Sequence, residues 1–193
     1  MSTVVFLGDS ITLGVRAGVR PTDIFSYKIG NAREFSNIIN SGIGNDTAAG
    51  GFARIAKDVL AHNPKACVIM FGTNDVYNKV SVESYKASMK SIVQTLKAHN
   101  IEPVIFSPPL GNATSQIDLF PPYLIALSEI GYEEKVPVID MYMRFCHFHF
   151  YYPPAEFNGL YMDWAHPSPA GHQAITNVFL EEANNDVLVA QEL

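Results

Sequence analysis

Three side chains of this 193-residue sequence have the types and the spacing that acyl transfer requires: Ser10, Asp163 and His166. A serine hydroxyl is a poor nucleophile until a base accepts its proton, and histidine is the usual base. Asp163 stands three residues before His166, so its carboxylate can hold one ring nitrogen while the other nitrogen faces Ser10. The sequence therefore predicts a Ser10–His166–Asp163 triad that works through an acyl-enzyme.

The oxyanion of a tetrahedral intermediate needs preorganised N–H donors, and the sequence offers three sources of them. Ser10 lies where a strand-like run turns into a helix, so its backbone N–H is available and the helix N-terminus adds partial positive charge. The carboxamide of Asn74 is an uncharged donor. The turn Gly42–Asn45 offers a further backbone N–H.

Short apolar runs alternate with helical patterns along the chain. The runs, at residues 4–7, 38–39, 66–71, 103–106 and 136–139, are apolar throughout, as in strands covered on both faces of a parallel sheet. Helical patterns cover 52–60, 85–96 and 119–130, and a last helix begins after Ser168-Pro169. This alternation predicts one domain over residues 1–193, an α/β sandwich with a five-stranded, doubly wound parallel sheet.

Polar clusters follow four of these elements. They comprise residues 8–10, 40–47 and 72–75 after the first three strands, and 163–167 before the last helix. Ligands of open α/β sheets bind at the carboxyl ends of the strands, so we expect the four clusters to converge on one edge of the sheet.

Nine of the 22 aromatic residues lie between Tyr142 and Trp164, around Pro153-Pro154. We interpret this stretch, residues 142–164, as a structured loop over one end of the sheet. It either covers the sheet edge or provides a platform for a sugar ring or an acyl group beside His166. The predicted substrate-binding residues are Asp9, Tyr161 and Trp164, and further candidates for the platform are Tyr151, Tyr152 and Phe157.

Four segments, taken in order, resemble the blocks of the SGNH (GDSL-type) hydrolase superfamily: Gly-Asp-Ser at 8–10, Gly-Asn-Asp-Thr at 44–47, Gly-Thr-Asn-Asp at 72–75, and Asp163-x-x-His166. The resemblance extends from residue 4 to about residue 180. It implies a flavodoxin-like three-layer α/β/α fold, with Ser10 as nucleophile, His166 as general base and Asp163 as its orienting carboxylate. It also implies an oxyanion hole made by Ser10, a second-block N–H and Asn74. This sequence departs from many relatives in carrying Asn45 where they carry glycine. Asparagine tolerates left-handed backbone angles, so the resemblance makes the N–H of Asn45 the preferred second donor, and Gly44 stays open as the alternative.

The activity expected from these residues is serine esterase hydrolysis of short-chain acyl esters, with O-acetyl groups on a carbohydrate as the favoured substrate. One alternative is a lysophospholipase or thioesterase of the same superfamily. Another is a catalytically silent module of the same fold that binds a glycan.

Composition limits the partners. The formal net charge is −6, and no cluster of Lys and Arg is longer than a pair, so we expect no nucleic acid partner. No apolar run approaches the ~20 residues that span a bilayer, so we expect no membrane insertion. The first residues lack the charged and apolar regions of a signal peptide. That predicts a cytoplasmic location for the chain as it stands, or secretion if a signal or a larger protein was removed. The oligomeric state stays open.

The sequence predicts neither a cofactor nor a metal. Gly42-x-Gly44 lacks the third glycine of a dinucleotide turn. His147 and His149, together with the Asp163–His166 pair, could suggest a metal site, but the flanking aromatic residues favour packing. Cys67 is expected to be buried and inert, and its pairing with Cys146 stays open.

Overall fold

The five apolar runs form the five strands of one parallel sheet. The strands are β1 (Thr3–Gly8), β2 (Asn37–Gly42), β3 (Ala66–Met70), β4 (Glu102–Phe106) and β5 (Val138–Ile139), in the spatial order β2-β1-β3-β4-β5. The computed structural model of the chain describes residues 2–112 and 114–185. The prediction of a five-stranded parallel sheet is confirmed.

Helices cover both faces of the sheet. They are α1 (Ser10–Leu13), α2 (Phe25–Ala32), α3 (Ala48–Ala53), α4 (Ile55–Asp58), α5 (Thr73–Tyr77), α6 (Val82–Ala98), α7 (Pro121–Glu134), α8 (Met141–Tyr151), α9 (Pro154–Gly159) and α10 (Pro169–Asn185). Short 3₁₀ helices occupy Pro21–Asp23, Leu60–His62 and Thr114–Leu119.

Alternate residues of each inner strand enter two separate hydrophobic cores. In β1, Val4 and Phe6 pack with α2, α8 and α10, whereas Val5 and Leu7 pack with α4, α6 and α7. All four of these β1 side chains are buried. Because both faces of the strand are covered, the run is apolar at every position rather than at every second one.

Helix α6 follows its predicted pattern closely. Ser81 caps its first turn by accepting a hydrogen bond from the N–H of Ser84. Its buried face consists of Tyr85, Met89, Ile92, Val93 and Leu96, which is the stripe that the sequence indicates. The hydroxyl of Ser168 likewise accepts the N–H of Gly171 at the start of α10, as predicted.

The single helix predicted over 52–60 is wrong. The segment consists of α3, α4 and the 3₁₀ turn Leu60–His62, and Phe52 is 40% exposed, although Ile55 and Val59 are buried as the pattern indicates. The first break coincides with Arg54, whose guanidinium donates hydrogen bonds to the carbonyls of Gly8 and Ser41 at the strand ends. Tertiary hydrogen bonds there override the local helical pattern.

The loop predicted over 142–164 is also wrong for most of its length, because α8 and α9 occupy it. Pro153 and Pro154 do not make the stretch irregular. They separate two helices, with Pro154 at the first position of α9, where a missing N–H costs nothing.

The strand order reverses direction at β1, with β2 on one side and β3 on the other. In doubly wound sheets the crevice at such a switch point, outside the carboxyl ends of the strands, is where ligands bind. Ser10 follows β1 and Asn74 follows β3, so the two lie on either side of this point.

Two further features concern expectations from composition. Among residues 2–112 and 114–185, no helix is both long enough and apolar enough to cross a bilayer. Cys67 and Cys146 are both buried, and both are free thiols. Burial raises the pKa of the Cys67 thiol to about 12, so this side chain is unreactive, as predicted.

A substitution at Gly51 of α3 tests how closely the segment after β2 packs against the end of β3. A Cβ at Gly51 would lie 2.3 Å from the ring of Phe71, whereas a Cβ at Gly159 of α9 would have no neighbour within 4 Å. We expect Gly51→Ala to lower the free energy of unfolding by about 1–3 kcal/mol through overpacking. Thermal unfolding followed by circular dichroism measures this, with Gly159→Ala as the control. Equal melting temperatures for the two variants would contradict the close approach.

Candidate active site

Ser10 is the first residue of α1 and stands directly beyond the carboxyl end of β1. The side chain of Asp9 caps this helix by accepting the N–H of Ile11 at 2.8 Å, and Gly14 ends it with a left-handed φ of 67°. A helix of one turn thus fixes the backbone on both sides of the Ser10 hydroxyl.

The turn from Asp163 to His166 holds its own carboxylate in place. Asp163 Oδ1 accepts the backbone N–H groups of Ala165 and His166, each at 2.9 Å, and the N–H of Met162 closes the turn on the carbonyl of His166 at 2.8 Å. Burial alone would raise the pKa of Asp163, but these backbone N–H groups and the imidazole together lower it. Asp163 is therefore an anion at neutral pH.

Ser10, His166 and Asp163, from opposite ends of the chain, form one line of contacts. His166 Nε2 lies 2.9 Å from Ser10 Oγ, and His166 Nδ1 lies 2.7 and 2.8 Å from the two oxygens of Asp163. Because a carboxylate only accepts, Nδ1 carries the proton and Nε2 presents its lone pair. A lone pair in this position can take the hydroxyl proton of Ser10.

The turn after β2 presents unused backbone donors. Asn45 has a φ of 60°, the left-handed conformation that asparagine tolerates. Within the described residues, the N–H groups of Ser10, Gly44 and Asn45 have no hydrogen-bond acceptor. An oxyanion requires N–H donors that are not already bonded to another acceptor. In the turn after β2, Gly44 and Asn45 both remain candidates for such a donor.

Asn74, at the start of α5, is fixed by one of its two amide hydrogens. Its Nδ2 donates to the carbonyl of Asp46 at 2.8 Å and makes a longer contact of 3.4 Å with Asp9 Oδ2. The short bond holds the amide beside the turn after β2. The second hydrogen is weakly held, so it is available to another acceptor.

Two buried carboxylates lie beneath these donors. Asp75 accepts the N–H of Ala48 through both of its oxygens, at 3.2 and 3.3 Å. Burial raises the pKa of Asp9 to about 7, with smaller contributions from the charges of Asp75 and Asp46, and it raises the pKa of Asp75 to about 6. Asp9 is only 2% exposed. The contact of Asp9 with substrate therefore stays a prediction, and the role that the structure shows for its carboxylate is to cap α1.

Some of the aromatic residues that are candidates for substrate binding are buried, and others are exposed. Tyr161 is 8% exposed, and its hydroxyl donates to the carbonyl of Leu110, so its ring packs inside the protein and its binding of substrate stays a prediction. Phe157 is buried as well. Trp164 is 47% exposed and meets the ring of Tyr77 edge-on at 4.7 Å, so one part of the indole faces solvent next to the Asp163–His166 turn.

The residues of α8 that could have suggested a metal site are engaged in packing. The ring of His147 stacks on Tyr151, which is exposed together with Tyr152, and His149 lies against Phe157. In the part of the chain that the structure describes, no three residues among His, Cys, Asp and Glu are grouped as metal ligands.

Sequence reasoning missed Arg16. Its Nη2 lies 2.5 Å from His166 Nε2, the same nitrogen that faces Ser10. The available signal was a cation six residues after Ser10, between Gly14 and Gly18, but nothing local indicates where so long a side chain ends.

Comparisons with known proteins agree with this architecture. The family described as GDSL-like lipase/acylhydrolase matches residues 6–174. An acetylxylan esterase from Geobacillus stearothermophilus is 28% identical in an alignment that covers 93% of this chain and 92% of that protein. The thioesterase 1/protease 1/lysophospholipase L1 of Escherichia coli (strain K12) is 27% identical over 53% of this chain and 49% of its own.

Solved structures share the fold. A lipase/acylhydrolase from Enterococcus faecalis superposes with a TM-score of 0.78 at 24% identity, covering 96% of both chains. An acetyl xylan esterase superposes with a TM-score of 0.79 at 22% identity, covering 93% of this chain and 98% of its own. The family match spans most of the sequence and includes the segments that meet at the sheet edge, and the chain therefore belongs to the GDSL-like lipase/acylhydrolase (SGNH) family and is a carboxylic ester hydrolase.

Proposed function

We propose that this esterase removes short acyl groups, above all O-acetyl groups, from a carbohydrate, with Ser10 as the nucleophile. The observation that carries the proposal is the line of contacts from Ser10 Oγ through His166 to Asp163, at 2.9 Å and 2.7–2.8 Å. Those distances are within the hydrogen-bond reach that a nucleophile, its base and the orienting carboxylate need.

Acylation begins when Ser10 Oγ attacks the ester carbonyl and its proton passes to His166 Nε2. The Asp163 carboxylate holds Nδ1–H and stabilises the imidazolium that forms. As the tetrahedral intermediate collapses, the imidazolium returns the proton to the leaving alcohol oxygen. The alcohol departs, and the acyl group stays on Ser10.

Deacylation repeats the sequence with water. His166 Nε2 takes a proton from the water that attacks the acyl carbonyl, and it then protonates Ser10 Oγ as that bond breaks. One ester and one water give one acid and one alcohol, and the three side chains return to their starting protonation states.

The negative charge on the carbonyl oxygen is stabilised by fixed donors. These are the N–H of Ser10, the N–H of Asn45 or Gly44, and the weakly held amide hydrogen of Asn74. The bond from Asn74 to the carbonyl of Asp46 fixes the amide before substrate arrives, so little reorganisation is needed in the transition state.

The substrate class is supported by two observations. The similarity to an acetylxylan esterase extends over nearly all of both chains, whereas the similarity to the thioesterase/lysophospholipase covers about half of each. The indole of Trp164 is also half exposed beside the Asp163–His166 turn, where a flat apolar surface can receive the face of a sugar ring.

A substrate panel tests the proposal directly. It compares p-nitrophenyl acetate, butyrate and octanoate, an acetylated xylo-oligosaccharide, a long-chain acyl-CoA and a lysophospholipid. We expect kcat/KM to be highest for acetyl esters, with acetate released from the oligosaccharide. Highest turnover of the acyl-CoA or the lysophospholipid would instead establish the thioesterase or lysophospholipase alternative.

Ser10→Ala should abolish both turnover and covalent labelling by a fluorophosphonate, because labelling requires an activated serine. The loss in kcat should be several orders of magnitude, as for any nucleophile of a coupled triad. Gel fluorescence and acetate release measure the two effects. Ser128→Ala, an exposed serine on α7, is the control and should behave as the unaltered protein does. Labelling that persists in Ser10→Ala would place the nucleophile elsewhere.

Asn74→Ala should lower kcat by about 10²–10³-fold, or about 2.7–4 kcal/mol of transition-state stabilisation, if the amide is one oxyanion donor. KM should change little, since the oxyanion exists only in the transition state. Asn78→Ala, an exposed residue just beyond the same helix, is the control. Thermal unfolding of both variants checks that the bond to Asp46 is not needed for folding. A near-normal kcat in folded Asn74→Ala would remove Asn74 from the mechanism.

Trp164→Ala should raise KM for an acetylated xylo-oligosaccharide several-fold and leave p-nitrophenyl acetate almost unaffected. The reason is that only the oligosaccharide presents a sugar ring to the indole. Steady-state kinetics on both substrates measures the difference, and Tyr132→Ala, at an 88% exposed aromatic of α7, is the control. Equal losses on the two substrates would mean that Trp164 supports the turn rather than the sugar.

A further inference from the structure

Two donors converge on a single lone pair at His166 Nε2. Arg16 Nη2 lies 2.5 Å from this nitrogen, and Ser10 Oγ lies 2.9 Å from it. A guanidinium has no acceptor and stays protonated, so Arg16 must donate. A neutral imidazole has one lone pair in its plane, and Arg16 and Ser10 therefore compete for it. While Arg16 donates its hydrogen bond to Nε2, the lone pair of this nitrogen is not free to accept the proton of Ser10.

Arg16 has no acidic partner. Among residues 2–112 and 114–185, no carboxylate lies within ion-pair distance of its guanidinium, and its other hydrogen bond goes to the carbonyl of Val15. In contrast, Arg20, Arg54 and Arg144 each pair with a carboxylate. A half-buried guanidinium that rests on an imidazole nitrogen is poorly compensated, and a carboxylate would be a much better partner.

The segment that carries Arg16 can let the side chain move. Residues 14–20 have no regular secondary structure, and Gly14 and Gly18 flank Arg16 with φ values of 67° and 86°. Val15 is 59% exposed, so the backbone next to Arg16 is not packed in the core. Swinging the guanidinium away from His166 therefore breaks few other contacts.

The position of Arg16 identifies the side of the substrate that it would meet. In the proposed reaction Nε2 passes its proton to the leaving alcohol oxygen, so groups beside Nε2 lie on the alcohol side of the ester. A guanidinium there is within reach of the alcohol portion of the ester.

We infer that Arg16 is a specificity-determining residue that binds a carboxylate on the alcohol portion of the ester, as in an acetylated acidic sugar. The inference rests on the proposed function. The carboxylate accepts two parallel N–H bonds from the guanidinium and draws it off His166 Nε2. The lone pair is then free for the Ser10 hydroxyl. The substrate carboxylate accepts the hydrogen bond that Arg16 had donated to His166 Nε2, so the substrate binds and the base is released together. Only hydrogen bonds change, and no covalent bond is made or broken.

The test compares two esters of equal acyl group, 4-acetoxybenzoate and its methyl ester. The first carries a carboxylate on the leaving alcohol and the second does not. We expect the ratio of kcat/KM, anionic over neutral, to fall about 10-fold from the unaltered enzyme to Arg16→Met. The intrinsic reactivities of the two phenyl esters cancel in this comparison. Turnover of the neutral ester should be higher in Arg16→Met, because the competitor for Nε2 is gone.

Two further measurements make the test specific. Arg16→Lys should retain only part of the preference, since it keeps the charge but loses the planar fork. At 1 M salt the ratio of the unaltered enzyme should approach that of Arg16→Met, because screening weakens an open ion pair. Arg20→Met is the matched control: it removes an exposed arginine four residues away that pairs with Asp23, and the ratio should not change.

The outcomes separate this inference from the function on which it rests. If the unaltered enzyme turns over both esters but Arg16→Met has the same ratio of kcat/KM, Arg16 does not recognise the carboxylate of the substrate, and the inference is overturned. If Arg16→Met lowers both rates equally, Arg16 only supports His166, which also overturns it. If the unaltered enzyme hydrolyses neither ester and takes up no fluorophosphonate, the proposed function fails first.

Discussion

Burial of two carboxylates at one edge of the sheet is the constraint on which the site depends. A carboxyl group without water must find hydrogen-bond donors, and Asp9 and Asp75 find theirs in the N–H groups of Ile11 and Ala48. The amide of Asn74 connects Asp9 to the turn after β2. The bonds of Asp75 and Asn74 join the loop after β3 to the loop after β2, and the longer contact of Asn74 reaches Asp9 in the loop after β1. The three loops therefore cannot shift independently, and the groups around Ser10 are fixed before any substrate binds.

The sheet could be predicted because each strand carries its own signal. A run such as 66–71 is apolar at every position, and its short length fits a strand covered on both faces better than a helix. The two errors have different origins. Arg54 bonds to strand ends that are distant in sequence, and those bonds divide a helical pattern. Pro153-Pro154 separates two helices, and proline at a first helical position is a local signal that the composition of the segment obscured.

The same distinction explains the site. Ser10, Asn74 and the Asp163–His166 turn could be found because polar residues at strand ends have one place to go in a doubly wound sheet. The predictions that Asp9 and Tyr161 bind substrate came from their neighbours in sequence, whereas their burial is set by contacts with α1 and with Leu110. Arg16 could not be found because the position of a long side chain on a loop is decided by what it meets in space.

The site thus contains loops that are held by several hydrogen bonds and side chains that are held by few. The loops that carry the proposed oxyanion donors are joined by the hydrogen bonds of Asp75 and Asn74, so a change there is expected to cost stability as well as rate. The side chains of Arg16 and Trp164 are partly exposed, and each makes few hydrogen bonds or ring contacts. Substrate preference can therefore change through these two residues while the chemistry at Ser10 is preserved. The contact between Arg16 and His166 goes further, since it makes the availability of the base depend on what the alcohol side of the substrate carries.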